Sequence, residues 1–149
     1  MRTVALETQA WLACDFDALE VGMSLRTPSR RLTTADTVAW AALTNDRGPA
    51  DDHEPAPQEL LVLAYAVGLL PVDPRWVVAM RQLRDFAFES ASSVDDVIRV
   101  ETRVTGLRPL DERTGLVEAD LAVVDESGLR LAGGSLIALW RRAIDGARA

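Results

Sequence analysis

Between residues 96 and 107 apolar and polar side chains alternate, with Ile98, Val100, Thr102 and Val104 set against Arg99, Glu101 and Arg103. A period of two is the pattern of a strand buried on one face. Residues 76–88, 114–125 and 130–141 read as three further strands, and 106–113 and 126–128 as hairpin connections. Strands that follow one another through short turns pair antiparallel. Upstream the period lengthens. Thr33-Thr34-Ala35-Asp36 is a helix start, a hydroxyl cap followed three residues later by an acid. The helix it opens is predicted to run to about Leu43, with Val38, Ala41 and Ala42 on one face. A second helix is predicted from Ala56 or Pro57, where proline is tolerated in the first turn, to the stop at Pro71 and Pro74. Its residues 60–70 are apolar nearly all round, which predicts burial on all sides. Residues 25–31 read as a first strand, with Pro28 marking an edge or bulge. Residues 1–14 are a lead-in, either a short helix or an edge strand. One antiparallel sheet and one all-apolar helix have a simple packing solution: an α+β domain in which the sheet curls around the helix.

Composition narrows the chemistry. The 149 residues suit a single domain, 1–149, with no repeat and no linker to divide it. The formal net charge is −7, which disfavours nucleic acid as a partner. All 16 basic side chains are arginine, so lysine Schiff-base and P-loop chemistry are excluded. A lone His53 and a lone Cys14 exclude a His/Cys zinc site and an intrachain disulfide, and Cys14 reads as a small apolar filler. No metal or other cofactor is expected, although Asp51, Asp52 and Glu54 are carboxylates of the kind that hold magnesium. No apolar run is long enough to cross a membrane, and the N-terminus is unlike a secretory signal, so no membrane partner and a cytoplasmic location are expected.

The candidate chemistry gathers between the two helices. Residues 44–57 hold Gly48, Pro49, Pro55 and Pro57, a composition that rules out regular structure. Long ordered loops in compact domains often carry function. His53 lies here among Asp46, Asp51, Asp52 and Glu54: either Asp46 caps the loop and the other four form a solvated acidic surface turn, or the group carries acid–base chemistry. Tyr65, inside the apolar helix, needs a partner for its hydroxyl, either structural or at the polar end of a pocket. Arg81, Arg84 and Asp85 sit on the strand 76–88. They form a surface charge ladder, or Arg84 points inward and binds a ligand carboxylate or phosphate. The four tryptophans, Trp11, Trp40, Trp76 and Trp140, are expected in packing rather than as stacking platforms.

These segments carry a resemblance. Asp15-Phe16-Asp17-Ala18-Leu19-Glu20-Val21-Gly22, Arg31-Leu32-Thr33-Thr34-Ala35-Asp36 and Thr44-Asn45-Asp46 resemble the N-terminal half of the MaoC-like hydratases and dehydratases. Phe88-Glu89-Ser90-Ala91-Ser92-Ser93-Val94-Asp95-Asp96 is similar to a further segment of that family, without its Pro, Val and Gly. The family motif, roughly G-D-x-N-P-x-H-x-D, places its Asp on Asp46 and its Pro on Pro49. Its Gly falls on Asn45, its Asn on Gly48 and its catalytic His on Asp51, while His53 comes two residues later.

The resemblance implies a hotdog fold, a ligand tunnel at a dimer interface, and a lyase that adds water to an enoyl thioester or removes it from a 3-hydroxyacyl thioester. It implies coenzyme A or an acyl carrier protein as acyl carrier, and a place in fatty-acid, polyketide or other secondary metabolism. By this reading Asp46 is the catalytic acid or base, with Asp51 or His53 as its partner. The helix turn at Pro57 would aim backbone amides at the thioester oxygen. A homodimer is expected, and a heteromer in which an active partner supplies the missing histidine is the rival arrangement. A second rival keeps the pocket and changes the reaction to cyclisation, elimination or thioester hydrolysis.

Overall fold

The computed structural model describes residues 11–46 and 58–143. The chain opens with two short 3-10 turns, Trp11–Ala13 and Phe16–Ala18. Strands β1 (Ser24–Arg26) and β2 (Arg30–Arg31) follow, then helices α1 (Thr34–Thr44) and α2 (Glu59–Leu69). The second half is four long strands, β3 (Val77–Phe88), β4 (Val97–Pro109), β5 (Thr114–Asp125) and β6 (Arg130–Arg141). They form one antiparallel sheet in the order β1-β4-β5-β6-β3, with β2 also on β4.

Alternation decides the faces of this sheet. Ile98, Val100 and Val104 of β4 and Val117, Ala119, Leu121 and Val123 of β5 are buried. They form one core with Val62, Ala66 and Leu70 of the α2 segment, so the sheet covers the helix as its apolar sequence predicts. On the opposite face, ion pairs Arg26–Glu101, Arg84–Glu118 and Arg130–Glu89 tie strands together. These pairs are part exposed, where each is worth well under about 1 kcal/mol.

Three local expectations change. The strand expected over 25–31 is two short strands, because Pro28 lacks the N–H that would continue the ladder. Helix α2 is not buried on all sides within one chain: Leu61, Val62 and Ala66 are buried, whereas Leu60 is 55% exposed and Ala64 and Gly68 are exposed. Helix α1 shows the same imbalance more strongly. Its buried residue is Thr37, while Val38 is 63% and Leu43 85% exposed. Among the described residues strand β3 has a single neighbour, β6, and its register shifts between Arg84 and Ala87, where Asp85 takes a positive φ of 51°.

Candidate functional site

Helix α1 begins in a reciprocal cap. The Asp36 N–H donates to Thr33 Oγ1 at 3.2 Å, and the Thr33 N–H donates to Asp36 Oδ2 at 3.0 Å. It ends at Asn45, whose left-handed φ of 58° lets its N–H reach the Ala41 carbonyl at 2.9 Å. Glycine and asparagine tolerate that conformation best.

That turn delivers Asp46. Its N–H donates to Thr44 Oγ1 at 3.1 Å, and its carboxylate Oδ2 accepts from Trp40 Nε1 at 3.4 Å. Its backbone carbonyl accepts from Gln58 Nε2 at 2.9 Å. Gln58 is the N-cap residue of α2, and its side chain caps nothing. The two helices are therefore linked across the intervening loop, with Asp46 at the N-terminal end of α2, where backbone N–H groups lack helical partners.

Gln58 was not among the candidates read from the sequence. A signal was there, since glutamine is a poor N-cap and its place directly before an apolar helix calls for another task. Asp51, His53 and Pro57 lie outside the described residues, as do Asp52 and Glu54.

Tyr65 sits elsewhere on α2. Its hydroxyl hydrogen-bonds Asp36, and the Arg30 guanidinium lies 4.0 Å from the centre of its ring. Arg30 also pairs with Asp36 at 3.2 Å. The Tyr65 hydrogen bond, followed by the bonds from Thr33 and the charge of Arg30, holds the Asp36 carboxyl below the usual carboxylate range against some desolvation. Burial, then the carboxylate of Asp36, pushes the Tyr65 phenol upward. The cluster joins β2, the start of α1 and α2.

Arg84 is not brought to Asp46. Its guanidinium is 3.4 Å from Glu118, on the charged face of the sheet. That face bears a shallow groove of about 580 Å³ lined by Arg26, Asp85, Glu101, Arg103, Asp120 and Arg130 among others, and it includes neither Asp46 nor any residue of α2. The groove is a surface of interleaved opposite charges. Among the described residues no group of His, Cys, Asp and Glu is arranged to hold a metal ion, and no helix is long and apolar enough to cross a membrane.

The chain matches no family model and no curated protein. Its fold, in contrast, has clear counterparts among solved structures. It is similar to a monoamine oxidase regulatory protein from Archaeoglobus fulgidus, with a TM-score of 0.80 at 24% identity, over 88% of this chain and 96% of that one. It is similar to an (R)-hydratase from A. caviae involved in PHA biosynthesis, with a TM-score of 0.66 at 22% identity, over 81% and 96% of the two chains. A Mycobacterium tuberculosis protein with a double hotdog fold matches at a TM-score of 0.79 and 21% identity. There the match covers 93% of this chain and 47% of the larger one. The antiparallel sheet with α2 on its apolar face is thus a hotdog fold, the fold of the MaoC-like dehydratases.

Proposed function

We propose that the protein is a hydratase or dehydratase of acyl thioesters, acting in the cytoplasm on an enoyl or 3-hydroxyacyl group carried by coenzyme A or an acyl carrier protein. The observation that carries this reading is Asp46. Its carboxylate is oriented by Trp40 and its backbone is tied by Gln58 to the start of α2. Hydration needs a base beside a water, an acid for the α-carbon, and donors for the thioester oxygen as it gains charge. Asp46 supplies the first carboxylate, and the free N–H groups of the α2 terminus supply the donors. The second proton-transfer group comes from the adjoining loop, either His53 or Asp51. A carboxylate pair works when the two groups share a proton, because like charges at short range separate their titrations.

Two copies complete this unit. Among the described residues one edge of strand β3 has no strand beside it, and Val38, Leu43, Leu60, Val78 and Met80 are exposed in the single chain. An apolar surface of this kind is what a homodimer covers. The double hotdog protein, about twice as long as the region it shares with this chain, has the form expected of two such units fused.

The test is hydration of a short enoyl-coenzyme A, followed by loss of the conjugated thioester absorbance. Asp46→Asn is expected to reduce turnover by about 10²–10⁴-fold, the usual contribution of a positioned acid or base, with the melting temperature nearly unchanged. Equal activity of the variant and the parent removes Asp46 from the mechanism. A large fall in melting temperature assigns it to the structure of the helix junction instead.

A further inference from the structure

Gln58 is 2% exposed, and its Oε1 has no hydrogen-bond partner. The orientation of its amide is fixed by chemistry. The Asp46 carbonyl can only accept, so the nitrogen faces it at 2.9 Å and the oxygen is turned the other way. An acceptor buried without a donor carries a desolvation cost of about 1–3 kcal/mol. The cap does not account for that cost, because the side chain makes no capping bond. Trp11 Nε1 and Thr102 Oγ1 are also buried and unpaired, but Trp11 lies in the hydrophobic core and Thr102 on β4. Gln58 instead directly precedes the first-turn N–H groups of α2, a helix of 11 residues, and is bonded to the Asp46 backbone carbonyl.

The junction therefore offers an acceptor, Oε1, close to a set of donors, the first-turn amides. A ligand that satisfies both presents a hydroxyl to the one and a carbonyl to the other. A 3-hydroxyacyl thioester does so, with two carbons between its hydroxyl carbon and its thioester oxygen. We propose that Gln58 Oε1 accepts a hydrogen bond from the 3-hydroxyl of that substrate, and from the water that becomes it in the hydration direction. Gln58 is then the residue that distinguishes the hydroxylated acyl chain from the saturated one. This assignment rests on the acyl-thioester reading above and adds to it a group that recognises the reacting oxygen.

Binding, rather than turnover, tests it. The affinities of the wild-type protein and of Gln58→Met, which keeps the volume and removes the acceptor, are measured by calorimetry for 3-hydroxybutyryl-coenzyme A and for butyryl-coenzyme A. The preference for the hydroxylated ligand, read as the ratio of the two affinities so that loss of the Nε2 bond to the Asp46 carbonyl acts on both, is expected to fall about tenfold in Gln58→Met, the value of one buried hydrogen bond. An unchanged preference overturns the assignment and leaves Oε1 to a resident water. Failure of both thioesters to bind the wild-type protein removes the parent reading, and this assignment with it. A second measurement needs no variant to fold. In the wild-type protein the side-chain amide resonances of Gln58, separable from those of Gln9 and Gln82, should move with the hydroxylated ligand and stay still with the saturated one. Equal movement with both ligands, or none with either bound, counts against the proposal.

Discussion

Around Trp140 the side chains are closely packed, and where the end of α1 meets the start of α2 the described contacts are polar. Trp140 stacks on Trp11 with ring centroids 5.6 Å apart, and its indole N–H donates to the Cys14 carbonyl at 2.8 Å. Phe16 lies so close over Gly115 that a Cβ there would meet its ring carbons at 2.4–2.7 Å. Arg142 closes the region with a 2.7 Å pair to Asp17. The junction of α1 and α2 is assembled differently. Its side chains are placed by hydrogen bonds to backbone, an acceptor is left unused at Gln58, and apolar residues of both helices face outward. Close packing gives stability at the first region. The second relies on hydrogen bonds and leaves Gln58 Oε1 buried without a partner, which costs stability.

The strongest way to break the comparison is to empty the closely packed region. Trp140→Ala removes a side chain only 1% exposed and should cost about 3–5 kcal/mol in denaturant unfolding. A loss below about 1 kcal/mol would show that the stacked indoles are not the anchor of that region. Next comes Gly115→Ala, which forces Phe16 aside and should cost about 1–3 kcal/mol. Combining it with Phe16→Leu should cost less than the two single changes together, since both act on one contact. Strict additivity would mean that Phe16 does not meet the new methyl group. Neither change touches Asp46 or Gln58, so under the proposed function thioester binding per folded molecule should persist.

A smaller effect probes the polar region. Thr33→Ala deletes one side of the cap of α1 and should cost about 1 kcal/mol. The comparison sharpens if this loss reaches the site, because α1 carries Trp40 and the turn that places Asp46. The expected signature is weaker thioester binding beside a modest fall in stability. An unchanged affinity would mean that the C-terminal turn of α1 keeps its geometry without the cap.

The two regions also differ in how far the sequence discloses them. Alternation along β4 identified the inner face, because the buried residues Ile98, Val100, Thr102 and Val104 fall two positions apart. The cap Thr33–Asp36 was legible because its hydrogen bonds are local. Asp46 was singled out through a motif, and Asn45 beside it takes a left-handed φ of 58°. Gln58 was missed because its role depends on a contact with Asp46 across 12 positions, which periodicity does not encode. Arg84 was ambiguous because strand β3 is irregular, and its face is set by register with β6 rather than by alternation. The exposure of Val38 and Leu43 ran against the helical pattern, which reports apolar faces without saying whether the same chain covers them.

Acid separates the two regions with the smallest perturbation. The closely packed region is held mainly by apolar contact, whereas the α1–α2 contact depends on an ionised Asp36 between Thr33, Tyr65 and Arg30. Its carboxyl titrates lower in the folded protein than the value of about 3.9 usual for an unfolded chain. The stability this adds is therefore complete above that unfolded value and is lost as the pH falls through the lower folded one. Asp36→Asn should flatten part of the acid limb of melting temperature against pH below about 4, and change it least at neutral pH once the constant loss of the variant is subtracted. The Trp40 environment should respond first on acidification and the Trp11–Trp140 stack later, a sequence that fluorescence of single-tryptophan variants can resolve. Identical acid limbs for Asp36→Asn and the parent would show that the cluster is held by the Arg30–Tyr65 stack rather than by the charge of Asp36. A stack of that kind persists on protonation of the carboxyl, so the junction would then owe its stability to packing, as the Trp140 region does.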